Sequence, residues 1–284
     1  MTEAVKREAS NNTTMLEAVP YNDEVTCIKM ASERDGKAMF WVYAYLIQDM
    51  LLDAGCASAS AEMKEFVEDH PVSRVYVTHA HEDHYGCCSV LEQQGATIYA
   101  VAEDHTILKQ PPHYGDLFRT VWGQPEATTS VKAMPSVIKI GNLELETIPL
   151  PGHWTTMVGF LERERRWLFS GDAVPLPSRK KIGMPEENVP QMINTMRHVL
   201  DLELDVLFDS HRGPVTDVNS YIAKRIDHLT NLQTRARSLY ESGKSITEIA
   251  QELGLEDPWY ITMAEGRFGV DFLVRSLIND TAAE

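Results

Sequence analysis

Metal-binding side chains are concentrated in the six residues from His79 to His84, which read HAHEDH. Three histidines and two acids fill five of these positions, directly after the apolar residues Val75, Tyr76 and Val77. Aromatic and β-branched residues in such a run predict the end of a buried strand. Loops at strand ends commonly carry binding groups because the scaffold holds them rigidly. The stretch therefore predicts a metal site on a loop at the end of a strand.

Three more candidate ligands also follow apolar segments. His153 lies in IPLPGHW, Asp172 in LFSGD and His211 in LFDSH. The seven candidates are His79, His81, Asp83, His84, His153, Asp172 and His211. Imidazole and carboxylate groups suit zinc, iron or manganese, and seven ligands exceed the four of one tetrahedral zinc. The set therefore predicts two metal ions that share one carboxylate.

The order of these ligands resembles that of the metallo-β-lactamase superfamily. An HxHxDH motif is followed by a distant histidine, an aspartate and a final histidine, and Asp53 in LLDAG matches the first aspartate motif of the family. The resemblance covers residues 24–215, approximately. It implies an α/β fold, the αββα sandwich of the family, with the site along one edge of the sheets.

The resemblance also implies a role for each residue. The implied ligand sets are His79, His81 and His153 for the first metal, and Asp83, His84 and His211 for the second. Asp172 is then the bridging ligand, and Asp53 orients a ligand histidine, although a simple turn-forming role for Asp53 stays open. Two divalent ions are expected, zinc first, with iron or manganese as alternatives. A hydroxide between such paired metals attacks an electrophilic carbon or phosphorus, and Asp83 and Asp172 act as catalytic groups that position it and transfer a proton.

The ligand set also narrows the reaction. The family's flavodiiron branch has Glu at the position of His81, and its main zinc β-lactamases have Cys at that of Asp172, so the resemblance favours the glyoxalase II, lactonase, thioesterase and ribonuclease branches. We expect hydrolysis of a carboxylic ester-type bond in a thioester or a lactone. The alternatives are cleavage of RNA phosphodiester bonds, a single-iron persulfide dioxygenase and a non-catalytic metal-binding module.

Two segments are expected to select the substrate. One is a loop-rich insertion at residues 103–135, whose aromatic residues and histidines indicate an apolar pocket. The other is the basic loop after Asp172, whose cations suit a phosphate or carboxylate, for instance on coenzyme A or glutathione. The candidate contacts are His113, Tyr114, Trp122, Arg179, Lys180, Lys181 and Arg212. Packing of the insertion onto the core, a solvated charged face and a salt bridge of Arg212 are the competing interpretations.

Strand-like and helix-like segments alternate as far as residue 217 and place the candidate ligands at strand ends. We assign residues 1–20 to a flexible tail, residues 21–217 to the metallo-β-lactamase-fold catalytic domain and residues 218–284 to a helical C-terminal cap. The last region is also similar in layout to the winged-helix-like segment of lactamase-like endoribonucleases.

Composition limits the partners of the chain. Its 284 residues carry a formal net charge of −16, and residues 217–284 hold seven basic against eleven acidic residues, which disfavours nucleic-acid binding. The longest apolar run, AMFWVYAYLI, is too short to cross a bilayer. The four cysteines form no evident disulfide framework. We therefore expect a cytoplasmic enzyme for a small-molecule acyl substrate, without nucleic-acid or membrane partners, and leave a homodimer open.

Overall fold

The fold is a sandwich of two β-sheets with helices on both outer faces. The computed structural model describes residues 14–34 and 37–279. Within these ranges one sheet has eight strands and the other six. The predicted αββα class is therefore confirmed.

The first sheet carries the HAHEDH loop. Its strands are β1 (Thr14–Pro20), β2 (Thr26–Arg34), β3 (Lys37–Ala38), β4 (Val42–Ile47), β5 (Met50–Leu52), β6 (Arg74–Tyr76), β7 (Thr97–Ala100) and β8 (Val131–Ala133). Their order is β1-β2-β4-β5-β6-β7-β8, with β3 paired to β2. The pairings from β5 to β8 are parallel, so the carboxyl ends of β5 and β6 lie at one edge of the sheet.

The second sheet carries the other three candidate ligands. Its strands are β9 (Val137–Ile140), β10 (Leu143–Pro149), β11 (Val158–Glu162), β12 (Trp167–Phe169), β13 (Val206–Asp209) and β14 (Gly213–Val215). They follow the order β14-β13-β12-β11-β10-β9. The parallel pair β12 and β13 places the ends of these two strands side by side.

Helices cover both outer faces of the sandwich. They are α1 (Ser60–Asp69), α2 (Glu82–Tyr85), α3 (Cys88–Gln93), α4 (His105–Lys109), α5 (Asp116–Val121), α6 (Val189–Asp201), α7 (Val218–Glu241), α8 (Ile246–Leu253) and α9 (Val270–Ile278). Short 3-10 turns lie at Ala57–Ala59, Ala102–Asp104 and Ile261–Ala264. None of the helices in the described ranges combines the length and the apolar character that a bilayer span requires.

Side chains that point alternately to the two faces of each sheet divide the core into layers. Tyr76 and Phe160 face each other between the sheets, where they belong to an aromatic-rich cluster. Their neighbours point outward: Val75 packs in the cluster under α1 and α3, and Leu161 in the cluster under α6 to α9. Because side chains alternate with a period of two, each central strand supplies two layers at once.

The structure differs from the sequence interpretation in two segments. Residues 14–20, assigned to the flexible tail, form β1 and pair with β2 in an antiparallel register. The insertion at 103–135 holds α4, α5 and β8, and β8 extends the first sheet. These elements of three to six residues are too short to show a period. Residues 1–13 of the predicted tail lie outside the described residues.

The C-terminal helices pack onto the second sheet. Helices α7, α8 and α9 share one apolar cluster with α6 and with Leu168 and Leu207 of β12 and β13. The predicted helical character of this region is confirmed. Its division from residues 21–217 as a separate domain stays a prediction, and residues 280–284 lie outside the described residues.

Candidate metal centre

The seven candidate ligands all lie where strands of the two sheets end. His79 and His81 follow β6, Asp83 and His84 lie in α2, His153 follows β10, Asp172 follows β12, and His211 lies between β13 and β14. His79 and His84 are fully buried. Both sheets thus contribute residues to one site.

The side-chain atoms of these residues come together in groups of three. Within His79, His81 and His153, one possible ligand atom of each residue lies within 4.8 Å of the others. The same holds for Asp83, His84 and His211, and for a third group in which Asp172 joins His79 and His84. The first two groups are the sets that the family resemblance implies.

Asp172 lies between the two sets. Its Oδ2 is 3.1 Å from Nε2 of His211 and 3.4 Å from Nε2 of His153, and its Oδ1 is 3.4 Å from Nε2 of His84. One carboxylate therefore faces histidines of both groups, which is the placement that a bridging ligand needs.

Hydrogen-bond partners on the outer side of His79 and His84 determine which ring nitrogen faces the centre. Nδ1 of His84 donates to Asp53 at 2.8 Å, and Nδ1 of His79 lies 3.0 Å from the hydroxyl of Thr78. That hydroxyl and the backbone N–H of Thr78 both reach the carboxylate of Asp53. Such contacts orient ligand histidines and select the tautomer with a free nitrogen toward the metal. The contact expected between Asp53 and a candidate ligand histidine is therefore present.

Two adjacent glutamates do the same for the first set. Glu186 Oε1 lies 3.1 Å from Nε2 of His81, and Glu187 Oε1 lies 3.1 Å from Nδ1 of His153. Glu187 is buried and also accepts from the ammonium of Lys180 at 2.8 Å. Burial alone would raise the pKa of Glu187, but the Lys180 ammonium and the His153 ring outweigh it and lower the pKa to about 2. The carboxylate therefore stays ionised and holds the His153 ring.

The facing atoms fit a cation better than they fit one another. With their outer N–H groups engaged, Nε2 of His79, Nδ1 of His81 and Nε2 of His153 all present lone pairs, yet Nδ1 of His81 lies only 3.1 Å from the first and 2.9 Å from the last of these. Nε2 of His84 and Oδ1 of Asp172 are buried and have no hydrogen-bond partner among the described residues. Buried polar atoms without hydrogen-bond partners are rare and need an explanation. Divalent metal ions supply one for both groups.

The pKa values of two histidines in the metal-free site also indicate that the site suits cations. Burial alone would lower the pKa of His211, whose Nδ1 donates to the carbonyl of Trp41, but Asp172 and Asp83 raise it to about 10. For His84, too, burial is outweighed by nearby carboxylates, and the pKa lies well above its ordinary range. Protons therefore occupy, in the metal-free protein, nitrogens that metal ions would otherwise take.

Helix α7 braces the loops that carry Asp172 and His211. The hydroxyl of Tyr221 donates to Asp209, whose other carboxylate oxygen accepts the backbone N–H of His211 at 2.8 Å. Arg225 is buried and donates to the carbonyls of Pro175 and Leu176, just beyond Asp172. The C-terminal region is thus in direct contact with the loops of the centre.

A cavity of about 490 Å³ opens onto the centre. Its walls include His81, Asp83, His153, Asp172 and His211. The remaining wall is largely apolar and comes from four parts of the chain; it includes Phe40, Phe118, Trp122, Ile182, Trp259, Met263 and Phe268. Phe40, Trp259 and Met263 are also largely exposed, so the mouth is apolar as well.

The structure separates the predicted substrate contacts into two groups. Trp122, Lys180 and Lys181 line the cavity. The predicted contacts that do not line it are His113, Tyr114, Arg179 and Arg212, all of them within the described residues. Tyr114 is buried, and its hydroxyl lies 3.0 Å from that of Tyr85, whereas the other three are exposed. The residue types suited contacts with a substrate, but the sequence did not show on which side of the loops the side chains lie.

Sequence reasoning missed Glu186, Glu187 and Arg267. In an acidic chain two adjacent glutamates are an ordinary surface pattern, and only the structure brings them to the histidines. Arg267, which lines the cavity, lies between helical segments more than fifty residues after the last candidate ligand. No spacing rule connects it to the motif.

Comparisons with known proteins agree with the family resemblance of the ligand motif. A sequence model of the Metallo-beta-lactamase superfamily matches residues 42–223. Hydroxyacylglutathione hydrolase GloC of Haemophilus influenzae is 25% identical over 150 residues, which cover 50% of this chain and 69% of that protein. An uncharacterized protein of Aquifex aeolicus is 25% identical over 188 residues, which cover 64% of this chain and 82% of that protein. A beta-lactamase domain protein from Burkholderia ambifaria shares the fold, with a TM-score of 0.70 at 16% identity over 92% of this chain and 88% of its own. Because the family match spans more than half of the sequence, this chain belongs to the metallo-beta-lactamase superfamily.

Proposed function

We propose that the protein is a dinuclear metal-dependent hydrolase that cleaves a carboxylic ester-type bond, a thioester or a lactone, in a substrate with a large apolar acyl group. The superfamily consists mostly of hydrolytic enzymes. The name of the relative in Haemophilus influenzae specifies hydrolysis of a hydroxyacylglutathione, which is a thioester. We propose zinc as the metal and the cytoplasm as the compartment.

The apolar cavity over the candidate centre is the observation that carries this proposal. Its volume of about 490 Å³ lies within the range of pockets for drug-sized ligands, well above what an acetyl group needs. Trp122 and Phe118 line it together with Asp172 and His211, and the ring centres of Trp122 and His211 are 6.2 Å apart. An apolar acyl group with its reactive carbonyl at the centre fits such a site.

The residues of the centre have different roles in the proposed reaction. His79, His81 and His153 would hold one metal, Asp83, His84 and His211 the other, and Asp172 both. When bound, the metals supply a water of lowered pKa and polarise the acyl oxygen. The His84 and His211 rings hold the pKa of Asp172 well below its usual range despite burial, so this carboxylate stays ionised as a ligand. We assign to Asp83, which lines the cavity, the role of accepting the proton of the attacking water and passing it to the leaving thiolate or alkoxide.

RNA cleavage, the rival hydrolytic reaction, has less support. An RNA backbone requires a surface rich in Lys and Arg. The C-terminal segment instead brings Trp259, Met263 and Phe268 to the cavity, in a chain of net charge −16. Stacking on aromatic groups also binds single-stranded RNA, so a labelled single-stranded RNA belongs in the test.

The test measures hydrolysis of acyl thioesters and lactones of two to twelve carbons, with metal-loaded and chelated protein. We expect chelator-sensitive turnover whose kcat/KM rises with chain length, by roughly fourfold per buried methylene until the cavity is filled. His84→Ala should abolish it together with metal binding, whereas His198→Ala, at an exposed histidine of α6, should change neither. The proposal fails if fully metal-loaded protein hydrolyses none of these substrates, or if it cleaves RNA instead.

A further inference from the structure

Arg267 is a cation in the cavity wall that the proposed hydrolysis does not use. Its side chain is 31% exposed, and it lies between the 3-10 turn at Ile261–Ala264 and α9. The two preceding residues, Glu265 and Gly266, both have left-handed backbone conformations, with φ of 49° and 79°. A non-glycine residue in this region costs energy and is retained where the surroundings require it. The chain therefore turns sharply to bring Arg267 to the cavity.

The guanidinium of Arg267 is held from three sides. It lies 4.6 Å from the ring centre of Phe118 and 5.0 Å from that of Tyr114, within cation–π range of both. Its Nη2 is 3.6 Å from Oε2 of Glu82, which is buried. These three contacts restrain the guanidinium before any ligand arrives, and such preorganisation lowers the cost of binding.

The pairing with Glu82 leaves hydrogen-bonding capacity free. A distance of 3.6 Å is too long for a hydrogen bond, and Oε2 of Glu82 has no hydrogen-bond partner among the described residues. A guanidinium carries five N–H donors in a fork that matches a carboxylate. By contrast, the ammonium of Lys180, on the same cavity wall, is engaged by Glu187 at 2.8 Å.

We propose that Arg267 binds a carboxylate on the acyl part of the substrate, away from the bond that is cleaved. This assignment rests on the proposed function and specifies its substrate class: acyl groups with an apolar chain and a second, anionic end. The chain packs against the aromatic wall, and the carboxylate meets the N–H edge of the guanidinium. Arg267 is then a specificity-determining residue, in place of the cations predicted from the sequence at Arg179 and Arg212.

Two thioesters of equal chain length test this assignment. Suberyl and octanoyl thioesters of N-acetylcysteamine share an eight-carbon acyl chain and a neutral leaving group, and differ at the far end of the chain. For the wild type we expect kcat/KM to be at least about tenfold higher for the suberyl substrate, since a hydrogen-bonded charge pair contributes that much or more. Arg267→Met should remove this preference. Arg267→Lys should keep part of it, because an ammonium retains the charge but loses the fork.

Arg179→Met is the matched control, since it removes an exposed arginine that does not line the cavity. It should keep the wild-type preference. An equal loss of both activities in Arg267→Met would show that Arg267 only supports the structure, and would overturn the assignment. So would a wild-type enzyme that shows no preference.

Binding separates this assignment from the proposed hydrolysis. Trp122 and Trp259 line the cavity, so tryptophan fluorescence of the metal-loaded protein can follow occupation by suberate and by octanoate. If neither thioester is hydrolysed, the proposed function fails for thioesters. Tighter binding of suberate, lost in Arg267→Met, would then still support the anion site. Equal binding of the two acids would overturn it.

Discussion

Substitution of Glu187 by Gln tests whether the adjacent glutamates hold the centre together. The side chain of Glu187 is 2% exposed and accepts from three groups: Lys180, His153 and the backbone N–H of Met184. Glutamine keeps the shape but loses the charge. The ammonium of Lys180, itself only 13% exposed, would then be buried without a counterion. We expect both a loss of stability and a loosened His153.

The size of the stability loss follows from two independent arguments. Removing one partner of a buried ion pair costs about 3–5 kcal/mol. The pKa of Glu187 in the folded protein is about 2 against an ordinary 4.5, a difference equivalent to about 3 kcal/mol. Because the folded pKa is the lower one, this contribution is complete above pH 4.5 and is lost as the pH falls toward 2. The free energy of unfolding of metal-free Glu187→Gln should therefore be lower by about 3 kcal/mol at pH 7 and should depend less on pH below 4.5.

Urea unfolding at pH 7 and between pH 4.5 and pH 3 measures this effect, and competition with a chromophoric chelator measures metal affinity. Affinity should fall by about 10–100-fold. Glu186→Gln is the matched control, because Glu186 contacts His81 in the same way but is 23% exposed. It should weaken metal binding with little loss of stability. Adding Lys180→Met to Glu187→Gln should recover part of the stability. Equal stability of wild type and Glu187→Gln would refute the reasoning.

Three further predictions concern the centre itself. Asp172→Ala should lower both metal content and rate, because this carboxylate faces both histidine groups; a fully loaded and fully active variant would contradict its bridging role. Metal affinity should rise with pH from 6 to 8, since Asp83 and Asp172 raise the pKa values of His84 and His211 and the metals must displace those protons; calorimetry in buffers of different ionisation enthalpy would detect this release. Asp53→Asn should cost about 10–100-fold in metal affinity through His84, measured by chelator competition, and unchanged affinity would favour the turn-forming interpretation.

The candidate ligands could be predicted from local pattern, and the αββα fold from the family that their order resembles. The HAHEDH stretch follows a strand, and each later candidate follows another, so the ends of buried strands bring them to one edge. The substrate wall could not be predicted in this way. Its residues lie on loops whose direction depends on tertiary packing, which is why Tyr114 points into the core and Arg179 into solvent. The short strand β8 and the edge strand β1 were not predicted for a related reason: neither shows a clear hydrophobic period.

The outer contacts of the histidines also explain why the C-terminal region belongs to the centre. The loop with Glu186 and Glu187 is tied to α9, where Ser276 donates to the carbonyl of Glu187 and accepts from the N–H of Val189. Gly183 and Gly269 exchange backbone hydrogen bonds beside it. Two candidate ligands are thus oriented by a loop whose own position depends on helices more than eighty residues later in the chain. Since helix α7 also braces the Asp172 and His211 loops, hydrogen bonds to the C-terminal helices support ligand-bearing loops of both metal sets.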